Sequence, residues 1–134
     1  MESENKREVF IDTNFFMIPF QFNVDILEEF KRILPNYHLV TTDFVIGELV
    51  GLKNNNKGRT RLAAGLGLKI AKSSNVEIRK ISLKEGESVD DALLRLSKVL
   101  ATNDIELKRR AKKKGIALVY LRQKSYLAVD GFIA

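Results

Sequence analysis

The chain has 134 residues, enough for one domain with a real core, and 45% of them are hydrophobic and 30% charged. Lys and Arg outnumber Asp and Glu by 23 to 17, a net charge of +6 that points to a polyanionic partner. Having no cysteine excludes disulfides, thiolate nucleophiles and zinc ribbons, while the lack of a ~20-residue apolar run or a signal-like N-terminus leads us to expect a cytoplasmic chain with no membrane partner.

Val9-Phe10-Ile11 reads as a buried strand ending in Asp12-Thr13-Asn14. Asp12 either caps the next turn or stands at the carboxyl edge of a sheet, where open α/β folds place their ligands. Phe15, Phe16, Phe20 and Phe22 form a dense aromatic patch that Pro19 keeps from being one long helix; such a patch suits a core or a dimer interface. Asn23 is the expected cap of a helix whose buried face is Ile26, Leu27, Phe30, Ile33 and Leu34. His38 to Thr41 reads as a second strand, with His38 a surface imidazole. Thr42 or Asp43 then caps a helix carrying Phe44, Val45, Leu49 and Leu52. Glu48 borders that apolar face, and Gly47 beside it reads as room for another group to approach.

Residues 53–58 read as a flexible polar loop, followed by a helix over 59–72. Leu62, Leu66 and Ile70 stack along that helix, and Ala63, Ala64, Gly65 and Gly67 allow tight packing. Lys57, Arg59 and Arg61 cluster at its entrance, where cations oppose the helix dipole unless an anion joins them. Residues 76–81 alternate like a half-exposed strand. Asp90 and Asp91 open the next helix, where capping is the ordinary role of an acid. A further apolar run, Val99 to Ala101, leads through Thr102 and Asn103 to Asp104. The helix from Ile105 to Lys114 carries Lys108, Arg109, Arg110, Lys112, Lys113 and Lys114, whose mutual repulsion a nucleic acid would relieve. Ile116 to Leu121 reads as a strand buried on both faces, and residues 1–7 and 123–134 are expected to be loosely ordered.

This alternation predicts an α/β fold, a mostly parallel sheet of about five strands covered on both faces. The carboxyl ends of its strands would bring Asp12 and Asp104 together, with Asp90, Asp91 and Glu48 in reach. Carboxylates so gathered repel, by ~4 kcal/mol for a pair at 4 Å and an effective dielectric near 20, and a divalent cation removes the problem. Oxygen ligands without His or Cys favour Mg²⁺ or Mn²⁺, as one ion or two. Beside a basic surface, such an ion suits phosphodiester hydrolysis.

Ile11-Asp12-Thr13-Asn14, Glu48, Asp90-Asp91 and Ala101-Thr102-Asn103-Asp104 resemble, in order, the four acidic motifs of PIN-domain ribonucleases. The resemblance spans nearly the whole chain and is greatest to the branch containing the nuclease of the small-subunit processome. There the last motif continues much like Asp104-Ile105-Glu106-Leu107-Lys108-Arg109-Arg110. It implies a PIN-like three-layer α/β/α sandwich and a metal-dependent endoribonuclease acting on single-stranded RNA, with pre-rRNA as substrate. Asp12, Glu48, Asp90 and Asp104 would hold Mg²⁺ or Mn²⁺, with Asp91 competing for the third place. Thr13, Asn14, Thr102 and Asn103 would orient them. Lys57, Arg59, Arg61, Lys108, Arg109, Arg110, Lys112 and Lys113 would contact RNA. Alternatives are a toxin-type PIN ribonuclease with an antitoxin partner, or a PIN module that binds RNA without cleaving it; a homodimer is a further expectation by analogy. Only Ala92 to Asn103 lie between Asp91 and Asp104, fewer than in such relatives. Either the helix ends near Ser97 and leads directly into the strand, or the chain lacks residues there.

Overall fold

The computed structural model describes residues 7–131. In chain order the elements are β1 (Glu8–Ile11), a 3-10 helix (Thr13–Met17), α1 (Ile18–Phe22), α2 (Ile26–Ile33), β2 (His38–Thr42), α3 (Asp43–Asn54), α4 (Gly58–Ala71) and β3 (Glu77–Arg79). They continue with α5 (Val89–Leu96), β4 (Val99–Ala101), α6 (Ile105–Lys113), β5 (Ala117–Arg122) and β6 (Tyr126–Asp130). The strands form one six-stranded sheet in the order β3-β2-β1-β4-β5-β6. All neighbours are parallel except β5 and β6.

β1 sits where the chain reverses its direction of travel across the sheet. β2 and β3 are added on one side of it, β4 and β5 on the other. Because β-α-β crossovers are right-handed, the two halves place their helices on opposite faces, giving three layers. The same reversal opens a crevice beyond the carboxyl ends of β1 and β4, the position at which doubly wound sheets bind ligands. Val9, Phe10, Ile11, Val99, Leu100 and Ala101 are all buried whichever way they point, as in a sheet covered on both sides.

Several local expectations need correction. The sheet has six strands, because Tyr126–Asp130 returns antiparallel along β5 where the sequence suggested a loose tail. Its edge is covered by α2: Glu29 accepts the Leu127 N–H at 2.9 Å, and Arg32 donates to the Leu127 carbonyl at 2.8 Å. Residues 1–6 and 132–134, also expected to be loose, lie outside the described residues. Asn23 ends α1 in a left-handed conformation, and Asp25 is the residue that caps α2, accepting the Glu28 N–H. A Cβ added at Gly47 would meet no other part of the fold within 4 Å, so its room for a neighbour is not used by this chain.

The buried side of α4 is its small-residue face, Ala63, Ala64, Gly67, Leu68 and Ala71, while Leu62 of the leucine stack is 58% exposed. A Cβ on Gly67 would stand 2.9 Å from the Phe16 carbonyl oxygen, so only glycine lets α4 lie this close to the 3-10 helix. Phe15 and Phe16 are fully buried in the protein's own core, which removes them from any interface with a second subunit. α5 ends at Leu96, and Ser97 leads directly into β4, so the short connection closes without distortion of the sheet.

Candidate metal centre and nucleic-acid interface

Asp12 fills both roles left open by its position. As the cap of the 3-10 helix it accepts the Thr13 N–H at 2.7 Å, and its other oxygen accepts the Thr102 hydroxyl at 2.8 Å. It is buried, and that burial raises its pKa to about 6. The bonds from Thr102 and Thr13 work against the rise, and the charges of Asp90 and Glu48 add to it. An acid placed here for capping alone would not need two other carboxylates close enough to disturb it.

The other acids arrive from helices that start at, or point toward, the same edge. Asp104 caps α6, accepting the Leu107 N–H at 2.7 Å, while its own N–H donates to Thr102 Oγ1 at 3.0 Å. Glu48, in the middle of α3, accepts the hydroxyl of Thr13 in a close hydrogen bond. Asp90 stands in the first turn of α5 with its pKa raised, first by burial and then by Asp104 and Asp91, against the opposing charge of Arg110. Asp12, Glu48, Asp90 and Asp104 line one cleft of about 420 Å³ together with Thr13, Asn14, Gly51, Leu52, Asn55 and Asn56.

Asp91 is not among the residues lining it. Its carboxylate closes a capping box with Ser88, accepting the Ser88 N–H at 3.3 Å, and accepts Arg110 Nη2 at 2.6 Å. The local alternatives for the third acid therefore separate: Asp90 faces the cleft and Asp91 serves the helix. Asn103 also has a partner outside the cleft. Its side-chain oxygen accepts the Leu121 N–H at 2.8 Å, joining the end of β4 to β5. Asn55 and Asn56, which have the composition of a flexible polar loop, form part of the cleft wall; Asn56 also donates to the Leu52 carbonyl at 2.9 Å. Three successive asparagines at a helix end were the available signal.

The basic residues are more engaged than their spacing suggested. On α6, Arg109 pairs with Glu106, Arg110 with Asp91, and Lys112 with Asp130 at 3.1 Å, while Lys108 lies 5.3 Å from the centre of the Tyr120 ring. Internal partners thus relieve much of the repulsion assigned to a polyanion. At the entrance of α4, Lys57 is the N-cap residue with no side-chain cap bond, Arg59 lies over the Phe20 ring at 4.9 Å, and Arg61 donates to the Lys53 carbonyl at 3.0 Å.

Among the described residues, no three acidic or histidine side chains stand close enough to enclose an ion by themselves. The donor set on the cleft walls still fits Mg²⁺ or Mn²⁺. It is all oxygen, and Mg²⁺ keeps several waters and takes only one or two carboxylates directly. Burial is the main reason the pKa of Asp12 is raised, and the charges of Asp90 and Glu48 add to it, so a cation bound beside Asp12 would oppose both effects.

A family model described as a PIN like domain matches residues 9–124. Among curated proteins, Ribonuclease VapC9 of Archaeoglobus fulgidus is 28% identical over 120 residues, 90% of this chain and 87% of the relative. Ribonuclease VapC4 of Methanocaldococcus jannaschii is 29% identical over 130 residues, 91% of this chain and 95% of the relative. A solved structure of the PIN domain endonuclease Utp24 superposes with a TM-score of 0.75 at 29% identity, covering 94% of this chain and 92% of that one.

Proposed function

Because this chain belongs to the PIN-like domain family, we propose that it is a divalent-metal-dependent endoribonuclease that hydrolyses phosphodiester bonds in single-stranded RNA during ribosomal RNA processing. The observation that carries the reading is the cleft at the strand reversal, walled by Asp12, Glu48, Asp90 and Asp104 from four separate parts of the chain. The likeness to Utp24 over nearly the full length supports it.

In this reading those four carboxylates hold Mg²⁺ or Mn²⁺, as one ion or two. Bound there, the ion would supply activation of the attacking water and charge stabilisation at the phosphate and leaving oxygen. Thr102 fixes Asp12 from the β4 side and, through its bond from the Asp104 N–H, sets the start of α6 against it. Thr13 holds the carboxylate of Glu48 at the cleft wall. Asn14, Asn55 and Asn56 offer uncharged donors and acceptors beside the acids, where a base or ribose can bind without adding charge. Lys57 and Arg59, beside the cleft residues Asn55 and Asn56, draw the RNA backbone to this edge, and Lys108 and Lys113 extend the basic surface along α6.

A second reading, a toxin ribonuclease released from an antitoxin, is favoured by the two VapC relatives. A small antitoxin gene adjoining this one would support it, and its absence would favour RNA processing. The nuclease reading itself is tested by incubating structured and unstructured RNA with the wild type, Asp12→Asn and Asp104→Asn in Mn²⁺. Cleavage of the unstructured RNA by the wild type and its loss in both variants are expected. An inactive wild type, or variants as active as it, would overturn the reading.

A further inference from the structure

The cations of α6 are not equivalent. Arg109 binds Glu106 one turn back on the same helix, and Lys112 reaches out to Asp130 of β6. Arg110 reaches across to the first turn of α5. Its Nη2 donates to Asp91 at 2.6 Å, and Asp91 is the chain neighbour of the cleft carboxylate Asp90. Long side chains on a helix lean toward its N-terminus, and the N-terminus of α6 is the cleft carboxylate Asp104. The guanidinium is thereby held near Asp90, one of the four acids, and each feels the other's charge without a hydrogen bond between them. Its side chain is 36% exposed, which leaves room for a ligand.

Asp91 is well suited to hold a partner temporarily. Its position is fixed by the capping box with Ser88, so it remains in place whether or not Arg110 is bound to it. The pair is partly exposed, and exchanging one anion for another across such a pair costs little. An arginine fork matches two oxygens of a phosphate as well as it matches a carboxylate. Asp91 also has a second effect. With no partner of its own, Arg110 would be drawn to Asp90 and would compete there with a divalent cation.

We infer that Arg110 is the phosphate-binding arginine of the cleft: it rests on Asp91 in the free protein and transfers to an RNA phosphate beside the scissile bond when substrate enters. The inference rests on the nuclease reading and names a contact within that site. The bland alternative is that the ion pair only pins α5 to α6, in which case removing either partner has the same effect.

The test compares Arg110→Ala, Arg110→Lys and Asp91→Asn. Binding of a fluorescein-labelled single-stranded RNA is measured in an Asp12→Asn background, and cleavage and melting temperature in the otherwise wild-type chain. Arg110→Ala is expected to weaken RNA binding about tenfold and to lower the salt slope by about one phosphate contact. It should also reduce kcat about a hundredfold, with Arg110→Lys intermediate. Asp91→Asn should keep kcat within about threefold of wild type while weakening the Mn²⁺-induced rise in melting temperature. Parallel losses of cleavage and melting temperature in Arg110→Ala and Asp91→Asn would overturn the inference. If the wild type cleaves no RNA, the nuclease reading fails separately, and unchanged RNA binding by Arg110→Ala then overturns this one as well.

Discussion

The hydroxyl of Thr102 donates to Asp12 at 2.8 Å and accepts the N–H of Asp104 at 3.0 Å, so one buried side chain sets the relative position of two cleft acids. Thr102→Val keeps the shape and removes both bonds. The variant should lose ~1–3 kcal/mol of stability at neutral pH, because Asp12 loses a donor in a buried place. Thr102→Ser should restore most of it. Urea denaturation of the two variants checks this, and equal stability of Thr102→Val and wild type would remove Thr102 from the account.

Asp12 makes the metal-free protein sensitive to pH. Its pKa is about 6 in the folded state, against an ordinary value of 3.8, so the folded protein binds the proton more tightly than the unfolded chain. The associated stability is fully present below the ordinary value and is lost as pH rises through about 6, with Asp90, also raised, acting in the same direction. A shift of that size corresponds to up to ~3 kcal/mol. Asp12→Asn cannot acquire this charge. Without metal it should be more stable than wild type at pH 7.5, by an amount reduced by its poorer hydrogen bonds to Thr13 and Thr102, and the advantage should shrink as pH falls through about 6 and be gone only below the ordinary value of 3.8. Thermal melts across that range provide the check. An advantage that does not change with pH would assign it to something other than the carboxylate charge.

At the far end of the sheet, Arg79 donates to Glu8 at 2.7 Å and to Glu77 at 3.0 Å, and Glu77 also contacts His38 at 2.7 Å. Arg79 chiefly, then His38, holds the pKa of Glu77 down to about 2. Arg79→Met should destabilise the protein by ~1–2 kcal/mol, the scale of hydrogen bonds to charged groups in a partly exposed network. It should leave metal binding and RNA binding unchanged. A change in either would mean that this cluster is coupled to the cleft.

Gly67→Ala sets helix propensity against packing. An alanine in mid-helix should gain up to ~1 kcal/mol, but its Cβ would meet the Phe16 carbonyl at 2.9 Å, and overpacking costs ~1–3 kcal/mol. We expect net destabilisation and a weaker metal response, since the 3-10 helix that must shift begins at Thr13, the residue holding Glu48. A stabilised variant would show that α4 has slack against that helix.

The five parallel strands and the acids Asp12 and Asp104 were legible because their signals are local, whereas Glu48 and the choice of Asp90 over Asp91 needed the order of motifs along the chain. An apolar run that stops at a carboxylate marks both a buried strand and its exposed end, as at Ile11-Asp12 and Ala101-Thr102-Asn103-Asp104. What escaped depends on distant partners. Leu62, Leu66 and Ile70 have the spacing of a buried stripe, and only the contact between Gly67 and Phe16 shows that α4 turns its small residues inward. β6 has a single fully buried side chain, Leu127, and owes its place to pairing with β5 and to Glu29 and Arg32 of α2. Likewise, the charge run of α6 looked unpaired because Asp91 and Asp130, which answer Arg110 and Lys112, lie far from them in sequence.

The most direct test is a titration of the wild type, Asp12→Asn and Asp104→Asn with Mn²⁺ and Mg²⁺, following melting temperature at pH 7.5 and pH 5. At pH 7.5 a cation at a hundred times its Kd should stabilise the wild type by ~2.7 kcal/mol, with much smaller gains in both variants. At pH 5 the wild-type gain should shrink, because the proton on Asp12 competes with the ion. No stabilisation of the wild type by either cation at pH 7.5, or equal stabilisation of all three proteins, would contradict a divalent cation held among these carboxylates.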